Sequence, residues 1–112
     1  MMKSIMSDET MQFPKQEIAR VCAIVDPATK IRYPLGPERL TIGRDADNVV
    51  ALPDDSYVSG HHAQVYYEKG SCWLRDLGSR NGTVVNNLTI AGPIKIQPGD
   101  VITIGHTKLE VE

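Results

Sequence analysis

Beyond residue 20 no run of ten residues shows helical periodicity, because Gly and Pro interrupt the chain every few positions. All nine glycines lie between Gly36 and Gly105, and six of the seven prolines lie beyond residue 20. A chain divided this finely cannot build long helices, and its remaining choice is a set of short strands joined by turns. The intervening segments agree. Arg20 to Asp26, Ile31 to Tyr33, Arg39 to Gly43, Val49 to Leu52, Ala63 to Glu68 and Ser71 to Asp76 alternate in polarity or are rich in β-branched residues. Thr83 to Val85, Leu88 to Ile90, Ile94 to Ile96, Val101 to Ile104 and Lys108 to Val111 continue the pattern. Lys69-Gly70 and Asn86-Asn87 are read as tight hairpin connections, since Gly and Asn tolerate the positive φ these turns demand. The expected fold is an all-β sandwich or barrel.

Composition sets the outer limits. At 112 residues, 41% hydrophobic and 23% charged, the chain suffices for one domain and is too short for a multi-domain enzyme. Twelve basic residues against fourteen acidic ones give a net charge of -2, which leaves no excess positive charge for a nucleic-acid backbone. No apolar stretch approaches the ~18 residues of a membrane-spanning helix. Charges at Lys3, Asp8, Glu9, Lys15 and Glu17 interrupt any secretory-signal core. These features imply a soluble, cytoplasmic chain. Cys22 and Cys72 stand among apolar neighbours in expected strands and read as buried thiols; a disulfide between them stays an open alternative. Residues 1–19 contain all four methionines and no Gly, and are read as a mobile tail preceding a domain over residues 20–112.

Two segments exceed what hairpin closure needs: Leu52 to His61 and Leu77 to Gly82. Function on a rigid β scaffold usually sits in such loops. Together with Gly43-Arg44 they place Ser59-Gly60-His61-His62 and Ser79-Arg80-Asn81-Gly82-Thr83 as three clusters of guanidinium, hydroxyl, amide and glycine-adjacent N–H groups. Donors converging on one spot bind an anion, and a phosphate ester with its three acceptor oxygens makes the fullest use of them.

The order G-R, then S-x-x-H fifteen residues after the Arg, then S-x-N-G-T, resembles the forkhead-associated (FHA) domain, specifically as found in bacterial signalling proteins. The stretches IGRDADNVVALPDD, VSGHHAQV, LRDLGSRNGTVVN and IQPGDVITIG each resemble that family's strands and loops in the right order. The resemblance implies a β-sandwich of about eleven short, mostly antiparallel strands with recognition loops at one end. It implies a non-enzymatic module that binds phosphothreonine in a partner protein or peptide and serves Ser/Thr kinase signalling, the kinase itself being one candidate partner. By the same resemblance Arg44 and Ser59 would contact the phosphate, and Arg80 the phosphate or peptide. Asn81 would bond the peptide main chain. His62 would buttress the loops, Gly43 and Gly82 would supply backbone geometry, and Asn86 would shape the hairpin after the recognition loop. Many family members carry a polar side chain where this sequence has Gly60, which offers only its N–H. His61 is the neighbouring donor expected to compensate. Thr10, behind Asp8-Glu9 and before Phe13, resembles a kinase-acceptor site in some bacterial members, and its phosphorylation would let the tail compete for the site.

Other readings carry less. His61 and His62 point to opposite faces of a strand with no Cys or third His close in sequence, so no metal is expected. Ser59, His62 and an Asp suggest a hydrolase triad, but the G-x-S-x-G elbow is missing and the domain has little room for a cleft. Gly99 to Lys108 lacks the strand-to-helix context of a P-loop, and no cofactor is expected. The runner-up is a phospho-independent scaffold or oligomerisation domain of the same fold.

Overall fold

The computed structural model describes residues 22–112. Within that span eleven strands form two sheets. One runs in the order β2 (Ile31–Pro34), β1 (Ala23–Asp26), β11 (Thr107–Val111), β10 (Val101–Ile104), β7 (Thr83–Val85), β8 (Leu88–Thr89). The other runs β4 (Val50–Ala51), β3 (Leu40–Gly43), β5 (Ala63–Glu68), β6 (Ser71–Asp76), β9 (Ile94–Ile96). Pairing is antiparallel except between β3 and β4, which run parallel. None of the described residues forms a helix long and apolar enough to cross a membrane.

Period-two alternation supplies the core. β10 buries Ile102 and Ile104 while Val101 and Thr103 stay half-exposed, and β6 likewise buries Cys72 and Leu74. β3 contributes Leu40 and Ile42, β5 contributes Ala63 and Val65, and Ile24, Leu109 and Val111 close the layer from the opposite sheet. Burying each large aliphatic side chain stabilises the sandwich by about 1.5–3 kcal/mol. Cys22 and Cys72 are free, buried thiols that meet between the sheets. Burial, followed by the neighbouring thiol, pushes Cys22 up, so neither behaves as a reactive thiolate.

The tight turns take the geometry the sequence leads one to expect. Lys69 and Gly70 have φ of 53° and 80°, and Asn86 and Asn87 have 50° and 74°, the double positive φ of a type I′ hairpin. Strand ends shift by a residue or two. β2 extends to Pro34, opposite Ala23 on the outer edge of its sheet, where a missing N–H is tolerated. β4 shrinks to two residues because Val49 turns outward, its N–H bonded to the Thr41 hydroxyl at 3.1 Å.

Asn86 acts away from the recognition loops. Its Nδ2 donates to Asp100 Oδ1 and its Oδ1 accepts from the Val101 N–H, both at 2.9 Å, which ties the β7–β8 turn to the turn before β10. Asn86→Ala removes both bonds and places a Cβ-bearing residue without compensation at positive φ. It is expected to cost about 1–3 kcal/mol in urea denaturation while leaving ligand affinity within twofold.

Candidate anion-binding site

Three loops converge at one end of the sandwich: 44–49 after β3, 52–62 before β5, and 77–82 after β6. Backbone bonds join the first two, Arg44 N–H donating to Ser59 O at 2.9 Å and Asp45 N–H to Gly60 O at 3.2 Å. Asn48 completes the join, its Nδ2 donating to both Asp45 O and Gly60 O at 2.8 Å. Gly43 permits this approach. A Cβ there would stand 2.2 Å from Gly60 O and 2.8 Å from Asn48 Nδ2, distances real atoms do not adopt. The sequence-based role for Gly43 thus has a specific cause. Gly82 has a different one, φ of 85°.

His62, fully buried, links the second loop to the third. Its Nδ1 accepts the Ser59 N–H at 3.0 Å, so the ring proton sits on Nε2, which donates to Gly82 O at 2.8 Å. The ring thus ties the backbones of the second and third loops together.

Ser59 stands where the loops meet. Its Oγ accepts the Arg80 N–H at 3.0 Å, leaving the hydroxyl proton free to donate outward. Asn81 donates from Nδ2 to Tyr57 O at 2.8 Å, which keeps its Oδ1 and second N–H exposed to solvent. The exposed guanidiniums of Arg44 and Arg80 have no ion-pair or hydrogen-bond partner among the described residues, though their backbone N–H groups grip either side of Ser59. The Gly60 N–H likewise has no acceptor among the described residues. The structure therefore brings Arg44, Ser59, Gly60, Arg80 and Asn81 to one place.

His61 departs from expectation. Its Nε2 lies 3.0 and 3.1 Å from the carboxylate oxygens of Asp47, and its Nδ1 lies 3.9 Å from Asp45. Two carboxylates in the β3–β4 loop draw the imidazole to themselves, so it does not stand in for the side chain Gly60 lacks. The three groups form an exposed cluster that alternation along a strand could not reveal, because two members come from another loop. Thr10 and the tail lie outside the described residues.

Sequence reading passed over the carboxylates that rigidify the site. Asp76, at the end of β6, takes the Gly78 and Ser79 N–H groups on Oδ2 at 2.9 and 2.8 Å, and the Ser79 and Thr83 hydroxyls on Oδ1 at 2.5 and 2.7 Å. Ser79 Oγ in turn accepts the Gly82 N–H at 2.9 Å. The signal was Asp before Leu-Gly-Ser, the pattern of a side chain capping its own turn. Asp55 does the same between loops, with Oδ1 accepting the Tyr57 N–H and Oδ2 the His106 N–H and Thr107 hydroxyl.

Desolvation by itself would raise the Asp76 carboxyl, but four donors outweigh it and hold the group below the usual carboxylate range. A depressed folded-state value contributes stability above the unfolded value of about 3.9 and loses it as pH falls through the folded value. Asp76→Asn is thus expected to flatten the acid limb of a stability curve below about pH 4, measured by thermal melts across pH. Gly43→Ala is expected to cost about 2–4 kcal/mol in chemical denaturation and to weaken ligand binding, because Gly60 and Ser59 must move to admit the methyl.

A two-sheet sandwich that gathers unpaired guanidiniums, a hydroxyl and a loop amide at one end belongs to the class of β-scaffold modules with a loop-borne ligand site. The family model described as the FHA domain matches residues 40–105, and the chain belongs to that family. Over 98 residues it is 31% identical to FHA domain-containing protein FhaB of Mycolicibacterium smegmatis, covering 87% of this chain and 63% of that one. The chain therefore spans less than two thirds of that relative's length. Among solved structures, an FHA domain from a study of phosphothreonine-dependent FHA interactions superposes with a TM-score of 0.74 at 32% identity, over 82% of this chain and 95% of that one. Mycobacterium tuberculosis EmbR, in complex with a low-affinity phosphopeptide, superposes with a TM-score of 0.76 at 27% identity, over 98% of this chain and 30% of that one.

Proposed function

We propose that this chain is a non-enzymatic, cytoplasmic module that binds phosphothreonine in a partner protein of a Ser/Thr kinase pathway. The observation that carries the reading is Ser59, held between the backbone N–H groups of Arg44 and Arg80 with its hydroxyl proton left free, while the exposed guanidiniums of both Arg residues have no partner among the described residues. The backbone and hydroxyl donors there are already fixed by hydrogen bonds, so the ordering cost of binding a phosphate falls on the two exposed Arg side chains. Asn81, clamped through Tyr57 O, would use its free amide atoms on the peptide main chain and set the register. The solved relatives described as phosphothreonine-dependent or phosphopeptide-bound support this choice of ligand.

One observation favours the phospho-independent alternative. A Cβ on Gly60 would lie 2.8 Å from the Asp45 carboxylate, so a negative charge stands where many family members place a polar side chain. Under that reading the same loops would seat a peptide without phosphate.

Titrating one peptide with and without phosphate on its Thr decides between them. The proposed function requires strong phosphate dependence. Because charge-assisted bonds contribute about 1.5–3 kcal/mol each, Arg44→Ala should weaken phosphopeptide binding by about 2–5 kcal/mol. Its melting temperature should hardly move, since the side chain is exposed and unpartnered among the described residues. Undiminished binding by a folded Arg44→Ala would overturn the assignment.

A further inference from the structure

The outer face of the five-stranded sheet carries none of the residues assigned to the phosphate or to its peptide. Alternation fixes what it displays. β5 and β6 turn Ala63, Val65, Cys72 and Leu74 inward, which leaves Gln64, Tyr66, Trp73 and Arg75 outside. On β9 Ile96 is buried and Lys95 exposed. Register then aligns these side chains across the sheet: Tyr66 pairs with Trp73, Trp73 with Lys95, and Gln64 with Arg75. Arg39, directly before β3, closes the row, since Leu40 pairs with Val65.

Two of the three cations lie over rings. The Arg39 guanidinium carbon is 4.6 Å from the centroid of Tyr66, and Lys95 Nζ is 5.8 Å from that of Trp73. Arg39 is fixed further by an N–H donated to Gln64 Oε1 at 2.6 Å, and Trp73 by its indole N–H donated to the Glu68 carbonyl at 3.1 Å. Arg39, Arg75 and Lys95 are all exposed, and none forms an ion pair among the described residues. The nearby acids do not neutralise them by contact. Glu38 and Glu68 line the hollow beside Arg39 and Tyr66 without pairing with Arg39. Asp100, which shares a hollow with Lys95, is taken up by Asn86 and the Gln97 N–H.

Stacking decides what such a surface accepts. A side chain lying on a ring has already lost much of its freedom, and a stacked guanidinium keeps its remaining N–H groups available, so a carboxylate meets pre-ordered donors. Nucleic-acid bases would need the same rings bare. From Arg39 to Lys95 the row crosses three strand spacings of about 4.8 Å, on the order of 14 Å. An extended segment covers that distance in about four residues, and side chains four apart on it point the same way.

We propose that this face docks an acidic, extended segment of a protein partner, in which two carboxylates four residues apart meet Arg39 and Lys95 while Arg75 flanks them. The surface is separate from the loop site, and its use does not depend on the phosphothreonine reading.

The test is an NMR titration of the ¹⁵N-labelled full chain with a short peptide carrying two Glu residues four positions apart and no other charge, beside a twin with Gln at both positions. At millimolar peptide the Trp73 indole N–H and the amides of β5, β6 and β9 are expected to shift with the Glu peptide, and to need about fivefold more of the Gln peptide, the scale of two exposed ion pairs. The double variant Arg39→Gln, Lys95→Gln should erase that difference, while its amide spectrum stays that of a folded chain and its phosphopeptide affinity stays as in the parent. No shift on this face at millimolar Glu peptide, equal shifts from the two peptides, or a folded double variant that still discriminates between them overturns the proposal. A single-stranded oligonucleotide that shifts the same residues at lower concentration than the Glu peptide overturns it in favour of a stacking platform. Shifts of these residues that grow with protein concentration alone overturn it in favour of a second copy of this chain.

Discussion

The hydrogen-bonded bridge through His62 is the interaction on which the site depends. A fully buried imidazole holding a Ser59 N–H on one nitrogen and a Gly82 carbonyl on the other spans two loops 20 residues apart in the chain. Each loop alone would be a flexible surface segment. Joined through a buried ring that cannot turn without leaving two partly buried backbone groups unpaired, they become one surface. The close approach of Gly43 to Gly60 does the corresponding work between the first and second loops by steric permission. Arg44, Ser59 and Arg80 are displayed because groups behind them have no freedom.

That division explains what was legible in the sequence. The strands were readable because Gly and Pro mark their ends and because burial on one face writes itself as alternation, as in Ile102 and Ile104 or Cys72 and Leu74. Arg44, Ser59 and Asn81 were readable as a constellation, since their order and spacing resemble one family, and the structure gathers them. His61 was not. Its neighbours Asp45 and Asp47 belong to another loop, and only the folded arrangement shows that the imidazole faces carboxylates. Asp55 and Asp76 were equally hard to see, because a carboxylate that accepts backbone N–H groups looks in sequence like any other surface acid.

The apolar core and the polar site are linked through residues that belong to both. Thr83 is fully buried at the start of β7, yet its hydroxyl donates to Asp76, which caps the loop carrying Arg80 and Asn81. Val58 is buried beneath the β4–β5 loop, where a Cβ on Gly105 would press within 2.8 Å of it. Loosening the core under either loop would therefore be felt as displaced donors at the surface, well before the sandwich unfolds.

Charge distribution accounts for selectivity in a way net charge does not. A total of -2 excludes a broad basic surface, but local placement sets the unpartnered Arg44 and Arg80 on the loops around Ser59 and acids on both flanks, Asp45 and Asp47 on one and Asp54 and Asp55 on the other. An extended polyanion would meet those acids along most of its length. Under the proposed function a single phosphate on a peptide meets the two Arg side chains without laying further negative charge along those acids. The loop that carries Ser59 keeps a fixed geometry, since Asp55 is anchored to the β10–β11 turn and Tyr57 is tied through its carbonyl to Asn81.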